Sequence, residues 1–356
     1  MKRSELIFER PAQLAATTPA EARGVERDSG RLLISTPAGH THAQFNELAS
    51  FLRRGDLLVV NDSATLPASL PARGAIGAFI VNIATDYGGG TWLVEPRQSS
   101  SQPGALPLSA GDRIVIGADD GIASDGRIAA RLIAPYPGLP RLWFIVADGD
   151  LRPVMAATGA PIRYGYVSER YPLSVYQTVF ANRTCGCGSA EMPSAAYPFT
   201  RRVVDSVQDR GVEIVAITLH TGVSSLEVES ETVEQHPLYP EPFAVSAATA
   251  QAVNTAHASG RRVIAIGTTV VRALESAWDG NEVHPARGFT RAYIHPARGV
   301  HVVDGVLTGL HDPVTSHLAM LYAIAGQDVI RAGYAEAVRA GYLWHEFGDS
   351  HLIMTR

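Results

Sequence analysis

The sequence predicts an α/β body interrupted by a β-rich module, and three observations carry that reading. The apolar run Asp56-Leu-Leu-Val-Val60 ends in Asn61-Asp62, the pattern of a buried strand that delivers polar side chains at its end. From about Thr65 to Pro153, short β-type runs are separated by Gly, Pro, Asp and Ser with little helical periodicity, which predicts a small antiparallel sheet or barrel. From about Ala195, strand-like and helix-like segments alternate, as in a layer of largely parallel strands. The expected division is a body of residues 1–64 and 154–356 with a module of residues 65–153 between its parts.

The elements follow in chain order. Pro/Ala-rich turns lead to a strand at Arg31–Ser35 and a helical candidate around Ala43–Arg53. Within the module the strand candidates are Ala78–Ala84, Thr91–Glu95, Arg113–Gly117 and Leu142–Ala147. Thr200–Arg210 places Val203, Val204 and Val207 on one helical face, with Gly211 as a stop signal. Val212–Leu219 reads as a strand, Val245–Ala258 as a helix with Ser246 a candidate N-cap, Arg262–Ile266 as a strand and Val270–Trp278 as a helix.

Composition narrows the function classes. A length of 356 residues favours two domains and allows a sizeable core. With 46% hydrophobic and 18% charged residues and a net charge of −5, neither disorder nor a broadly basic polyanion-binding surface is expected, although a local basic patch stays open. Thirty-three Gly and 22 Pro without a fixed period exclude collagen-like sequence. Two cysteines, Cys185 and Cys187, make no disulfide framework, so the core must hold the fold and a reducing compartment is the simplest context. The charged start and the lack of a long apolar run predict a soluble cytoplasmic protein.

The most informative local pattern is Val263-Ile-Ala-Ile-Gly-Thr-Thr-Val-Val-Arg-Ala-Leu-Glu-Ser276, a buried strand, a tight turn and a helix. In open α/β sheets, ligands collect beyond the carboxyl ends of strands, where the next helix presents free N–H groups to anions. Thr268 and Thr269 offer hydroxyls there, and Arg272 can pair with a ligand carboxylate or with Glu275 at i+3. An ordinary capped turn with a surface ion pair fits the same residues. His220 follows the apolar strand Val215–Leu219, a position for acid–base chemistry or for a purely structural imidazole. The histidines and Cys185-Gly-Cys187 lack zinc-motif spacing, so no metal is expected, and the cysteines read as part of a Gly-rich loop. Phosphate-loop, dinucleotide and serine-hydrolase motifs are missing.

Several ordered blocks together carry a resemblance. They are Gly55-Asp-Leu-Leu-Val-Val-Asn-Asp62 with Leu66–Leu70, Tyr176–Ala181, Thr218–Gly222, Ile264–Thr269 with Arg272, Leu274 and Glu275, Val303–Gly305, Leu310-His311 and Phe347–Asp349. On these blocks the chain resembles the S-adenosylmethionine:tRNA ribosyltransferase-isomerases of queuosine biosynthesis, almost end to end. The resemblance implies an α/β body with an inserted antiparallel β-barrel. It also implies S-adenosylmethionine as substrate, no metal, a tRNA partner and a monomer. The reaction it implies moves the ribosyl part of S-adenosylmethionine onto the aminomethyl group of a 7-deazaguanine in tRNA, with isomerisation and release of adenine and methionine. A general base must attack a C–H acidified by the sulfonium, adenine leaves better when protonated, and the methionine carboxylate needs N–H groups or an Arg. To meet these needs we assign His220 as base and Arg272 as carboxylate partner, with Glu241 and His311 as further catalytic candidates. The other substrate-binding candidates are Asn61, Asp62, Gln177, Gly267, Thr268, Thr269 and Glu275.

The chain departs from the family pattern in substrate loops. Pro-Thr-Ala-Gly-Leu-His-Phe-Thr becomes Pro193-Ser-Ala-Ala-Tyr-Pro-Phe-Thr200, and His-Val-Gly-x-Gly-Thr-Phe becomes His220-Thr-Gly-Val-Ser-Ser-Leu226. His-x-Met-His-x-Glu becomes His236-Pro-Leu-Tyr-Pro-Glu241, and Asn-Phe-His-Leu-Pro becomes Gly309-Leu-His-Asp-Pro313. The tail Tyr-Arg-Phe-Phe-Ser-Phe-Gly-Asp becomes Tyr342-Leu-Trp-His-Glu-Phe-Gly-Asp349. Changed loops on a kept scaffold are how one fold acquires new specificity. Two alternatives therefore stand beside the tRNA-modifying enzyme. One is a diverged enzyme that uses S-adenosylmethionine, or a related adenosyl compound, with a small-molecule acceptor. The other is a non-catalytic protein that binds an adenosyl ligand. The acidic balance leans toward loss of tRNA, while Arg201-Arg202, Arg261-Arg262, Arg287, Arg291 and Arg298 keep it open.

Overall fold

The computed structural model describes residues 1–99, 106–117, 127–167, 169–184, 186–223, 227–228 and 230–355. The first two strands, β1 (Arg31–Thr36) and β2 (Gly39–Gln44), form a hairpin in which Leu32 faces Ala43. The helix expected around Ala43–Arg53 is therefore replaced by a strand end and a 3-10 turn at Phe45–Phe51. Pairing with β1 decides the conformation of Ala43, and the three-residue spacing of buried Phe45 and Leu48 suits the tighter turn.

Strand β3 (Leu57–Asn61) is buried at all five positions, as its continuous apolar run predicts for a central strand. Leu57 and Val59 enter one core and Leu58 and Val60 the other, so this short run ties together both faces of the sheet.

The next six strands are β4 (Ser69–Gly74), β5 (Gly77–Gly88), β6 (Thr91–Arg97), β7 (Arg113–Ile116), β8 (Ile128–Tyr136) and β9 (Leu139–Ala147). They close an antiparallel barrel in the order β4-β5-β6-β9-β8-β7. Closure removes the exposed strand edges that an open sheet of this size leaves. Helix α1 (Leu151–Thr158) follows, and its Leu151, Val154 and Met155 join the barrel's core. A cut between Pro153 and Val154 would divide this helix.

The body continues with α2 (Arg201–Asp209), β10 (Glu213–Leu219), β11 (Glu241–Val245), α3 (Ala247–Ala258), β12 (Val263–Ile266) and α4 (Thr268–Ser276). The remaining elements are β13 (Ala286–Thr290), β14 (Gly305–Gly309), α5 (Ser316–Ala325), α6 (Gln327–Arg339) and β15 (Ser350–Met354). Ser246 caps α3 by accepting from the Thr249 N–H, while Val245, expected in that helix, ends β11. The sheet order is β13-β11-β10-β3-β12-β14-β15-β1-β2. Its centre, β10-β3-β12-β14, is parallel. Among the described residues no helix is long and apolar enough to cross a membrane. Cys187 is disulfide-bonded, and Cys185 lies outside the described residues, as do Ser224, Ser225 and Leu226.

Candidate functional site

The parallel strands send their carboxyl ends to one edge of the sheet, and a cleft of about 190 Å³ opens there. Its floor is the turn between β12 and α4. Gly267 adopts φ 98° and ψ 156°, and a Cβ on it would stand 3.2 Å from that of Ala195. Only glycine makes this turn without strain. No side chain caps α4, so its first N–H groups and the Thr268 hydroxyl are presented at the cleft. The Thr269 hydroxyl also lines it and accepts from Asn61 Nδ2 at 3.2 Å.

The opposite wall follows β14. His311 lies in the cleft with Nε2 2.8 Å from the Thr308 hydroxyl and its ring 4.8 Å from that of His317. Burial, then the neighbouring His317, holds the His311 pKa well below the usual imidazole value, and burial with nearby Arg272 brings His317 down to about 4. Both rings are neutral at physiological pH. His345 sits at φ 76°, in the left-handed region, and stacks on Tyr166 with ring centroids 4.0 Å apart. Its Nε2 is 3.4 Å from Asp312. Glu346 and Glu191 complete the acidic side, with the Tyr164 hydroxyl donating to Glu191.

The other expected site residues are placed as follows. Arg272 pairs with Glu241 rather than with Glu275, and its Nε donates to the Ala292 carbonyl at 3.0 Å. Glu241 also accepts from the Gly222 N–H at 2.7 Å. This buried pair lines a separate cavity of about 40 Å³ that shares His317 with the cleft. Glu275 is buried and accepts from the His301 and Val302 N–H groups and from Arg298. Asn61 is fully buried and bonds the Leu219 backbone in both directions. Asp62 accepts from the Thr218 hydroxyl at 2.6 Å. Gln177 clamps the backbone of Thr65, accepting at 3.1 Å and donating at 2.7 Å. His220 faces a cavity of about 60 Å³ toward the barrel, with Nδ1 2.8 Å from the Ser63 hydroxyl. Burial lowers its pKa against the pull of Asp62. The cleft thus gathers Gly267, Thr268, Thr269 and His311 and leaves His220, Glu241, Arg272, Asn61, Asp62, Gln177 and Glu275 around it.

The chain matches the family model described as queuosine biosynthesis protein over residues 3–353. It belongs to that family. The queuosine biosynthesis proteins it resembles include the S-adenosylmethionine:tRNA ribosyltransferase-isomerases of Acidithiobacillus ferrooxidans and Moorella thermoacetica. Each is 34% identical over 99% of this chain, covering 98% and 100% of the relative. The crystal structure of the S-adenosylmethionine tRNA ribosyltransferase from Thermotoga maritima covers 98% of this chain and 100% of its own, with a TM-score of 0.53 and 24% identity. That likeness shows the fold: an α/β body carrying a β-barrel.

Within the family frame, the sequence reading missed Glu191, Tyr166, His317, His345 and Glu346 as site residues. His345, Glu346 and Asp312 had a signal, because they stand where the family pattern has Phe, Ser and Leu. All three line the cleft. Tyr197, in the block where the family pattern carries a histidine, turns inward and donates to Glu21 at 2.7 Å. It packs with Phe347 in a buried aromatic cluster.

Proposed function

We propose that the protein is an S-adenosylmethionine:tRNA ribosyltransferase-isomerase of queuosine biosynthesis. In this reading S-adenosylmethionine is the substrate, its ribosyl part is transferred to the 7-aminomethyl-7-deazaguanine of a tRNA and isomerised, and adenine and methionine leave. The observation that carries the reading is the uncapped N-terminus of α4 opening beside neutral His311, in a chain that matches the family from end to end. Free N–H groups with the Thr268 hydroxyl suit the methionine carboxylate. Arg272, already neutralised by Glu241, contributes by holding β11 against α4. A neutral imidazole is the basic form, and of the three histidines that line the cleft we assign proton abstraction to His311, whose ring nitrogen meets the Thr308 hydroxyl at the end of β14. Among the described residues no group of three His, Cys, Asp or Glu is placed to hold a metal.

For the RNA we assign a cavity of about 450 Å³ between β4 and β5 of the barrel and the segment 158–176. Arg73, Arg163 and Arg170 line it with Phe79, Tyr171 and Tyr176, and no Asp or Glu does so among the described residues. Guanidinium groups for phosphates and aromatic faces for bases are what single-stranded RNA requires. The segment 160–166 turns Arg163 to this groove and Tyr164 and Tyr166 to the cleft, so the two share a wall. A tRNA substrate supports a cytoplasmic location.

The test is mass spectrometry of S-adenosylmethionine incubated with the protein, with and without tRNA bearing the deazaguanine base. Adenine and methionine are expected only with that tRNA. The new polar residues Asp312, His345 and Glu346 favour one second reading, a small-molecule acceptor, for which adenine would appear without RNA. Binding without any product would leave an adenosyl-ligand-binding protein.

A further inference from the structure

One cleft residue has no role in the chemistry assigned so far. Glu346 lines the cleft, and its Oε1 is buried with no hydrogen-bond partner among the described residues. The second carboxyl of the cleft, Glu191, accepts from the Tyr164 hydroxyl, which favours its charged form. Two carboxyls that share one cleft raise each other's cost of ionising. The group without a donor keeps the proton.

We propose that Glu346 is the proton donor of this cleft, a neutral carboxylic acid that protonates the purine as it leaves the adenosyl substrate. The inference rests on the adenosyl chemistry of the preceding reading. The Glu346 O–H bond breaks as a ring nitrogen of the purine takes the proton. The bond between the ribose carbon and the purine N9 breaks with its electron pair going to the purine, so neutral adenine departs and Glu346 is left as carboxylate. Water restores the proton in the next cycle, and no oxidant or reductant is involved. In the resting cleft His311 is the proton-accepting form, whereas Glu346 carries the proton to be given.

The surroundings of Glu346 fit this assignment. The titratable groups that line the cleft with it are Glu191, Tyr164, Tyr166, His311, Asp312, His317 and His345, and its charge is also felt at Tyr176. Burial, then the Glu191 charge, pushes the Glu346 carboxyl up to about 8. The acid form therefore persists through physiological pH and is lost above about pH 8.

Two measurements on Glu346→Gln, with Glu346→Ala beside it, test the proposal. In single-turnover adenine release, Glu346→Gln is expected to lower the rate on the order of 100-fold, and to abolish the decline of the wild-type rate at high pH. Its affinity for S-adenosylmethionine should stay within about threefold, because the amide keeps a donor of the same shape. Separately, thermal unfolding should show the variant gaining on the wild type as pH rises from about 5 to about 8, since only the wild type buries an ionisable group there. A variant with wild-type rate and wild-type alkaline decline overturns the proposal. A stability gap that does not change with pH also overturns it, because Glu346 would then be ionised throughout. Wild-type protein that releases no adenine overturns the step on the purine together with the activity reading. Wild-type turnover with an unaffected Glu346→Gln overturns the donor assignment alone.

Discussion

Arg272 looks, in the sequence, like a carboxylate clamp at a helix start, yet its guanidinium is spent on Glu241, 31 positions earlier in the chain. The i+3 neighbour Glu275 is taken by backbone N–H groups from the loop before β14. Helical spacing names local partners and is blind to those supplied by other strands. Glu241→Gln leaves a buried cation without its counter-charge, and urea denaturation should show a loss of about 3–5 kcal/mol. Acid–base work in the cleft is separable in the same way. His311→Gln should lower single-turnover adenine release by about 100-fold or more, with the fold kept at neutral pH. His220→Gln, which faces the barrel-side cavity, should stay within about threefold of the wild-type rate. A hundredfold loss in His220→Gln would instead place the base on the barrel side.

At the scale of elements, the sequence was most informative where a pattern is continuous and local. The five buried residues of β3, the valine stripe of α2 and the Ser246 cap of α3 all follow from periodicity and end signals. The elements left unassigned are β2, β4, β8, α1, β11, β13, β14, β15, α5 and α6. Several of these are held by pairing rather than pattern: β2 has no buried residue, and β13, at the sheet edge, buries only Thr290. The candidate site was legible in part for a related reason. The Gly267–Thr269 turn is one contiguous motif, whereas Glu191 and Glu346 meet only because the chain returns to the cleft after 155 residues. Gly267→Ala tests the turn itself. A Cβ at φ 98° and 3.2 Å from Ala195 should cost about 1–3 kcal/mol, and calorimetry should show weaker S-adenosylmethionine binding.

For the molecule as a whole, the net charge of −5 does not describe the groove proposed for RNA, which concentrates arginines without carboxylates among the described residues. The double variant Arg73→Glu with Arg170→Glu should raise the KM for tRNA at least about tenfold and reduce the salt dependence of RNA binding by about two phosphate contacts. Its affinity for S-adenosylmethionine should not change; equal RNA binding by wild type and variant would take the RNA out of this groove. Acid stability is also a property of the whole. His317 and His351 are held neutral by burial, with values lowered to about 4 and about 3 from 6.5, and His311 is lowered further by its histidine neighbours. A depressed histidine contributes stability above its unfolded value, and that contribution is lost as pH falls through the folded value. Denaturant midpoints should therefore fall steadily below about pH 6.5, and His317→Gln should flatten the decline.

The order of the sheet also sets a timetable. Strand β15 is an interior strand, parallel to β1 on one side and antiparallel to β14 on the other, and Leu32 pairs with Ser350. On a translating ribosome the apolar β1, made early, acquires its inner neighbour only after about 300 further residues. At roughly 10 residues per second that interval lasts about half a minute. During that time the β1–β2 hairpin presents an unpaired apolar edge, while the barrel, whose strands are contiguous in the chain, can close without waiting. Nascent chains of this protein should therefore be held by chaperones through β1 and released when Ser350–Met354 emerges.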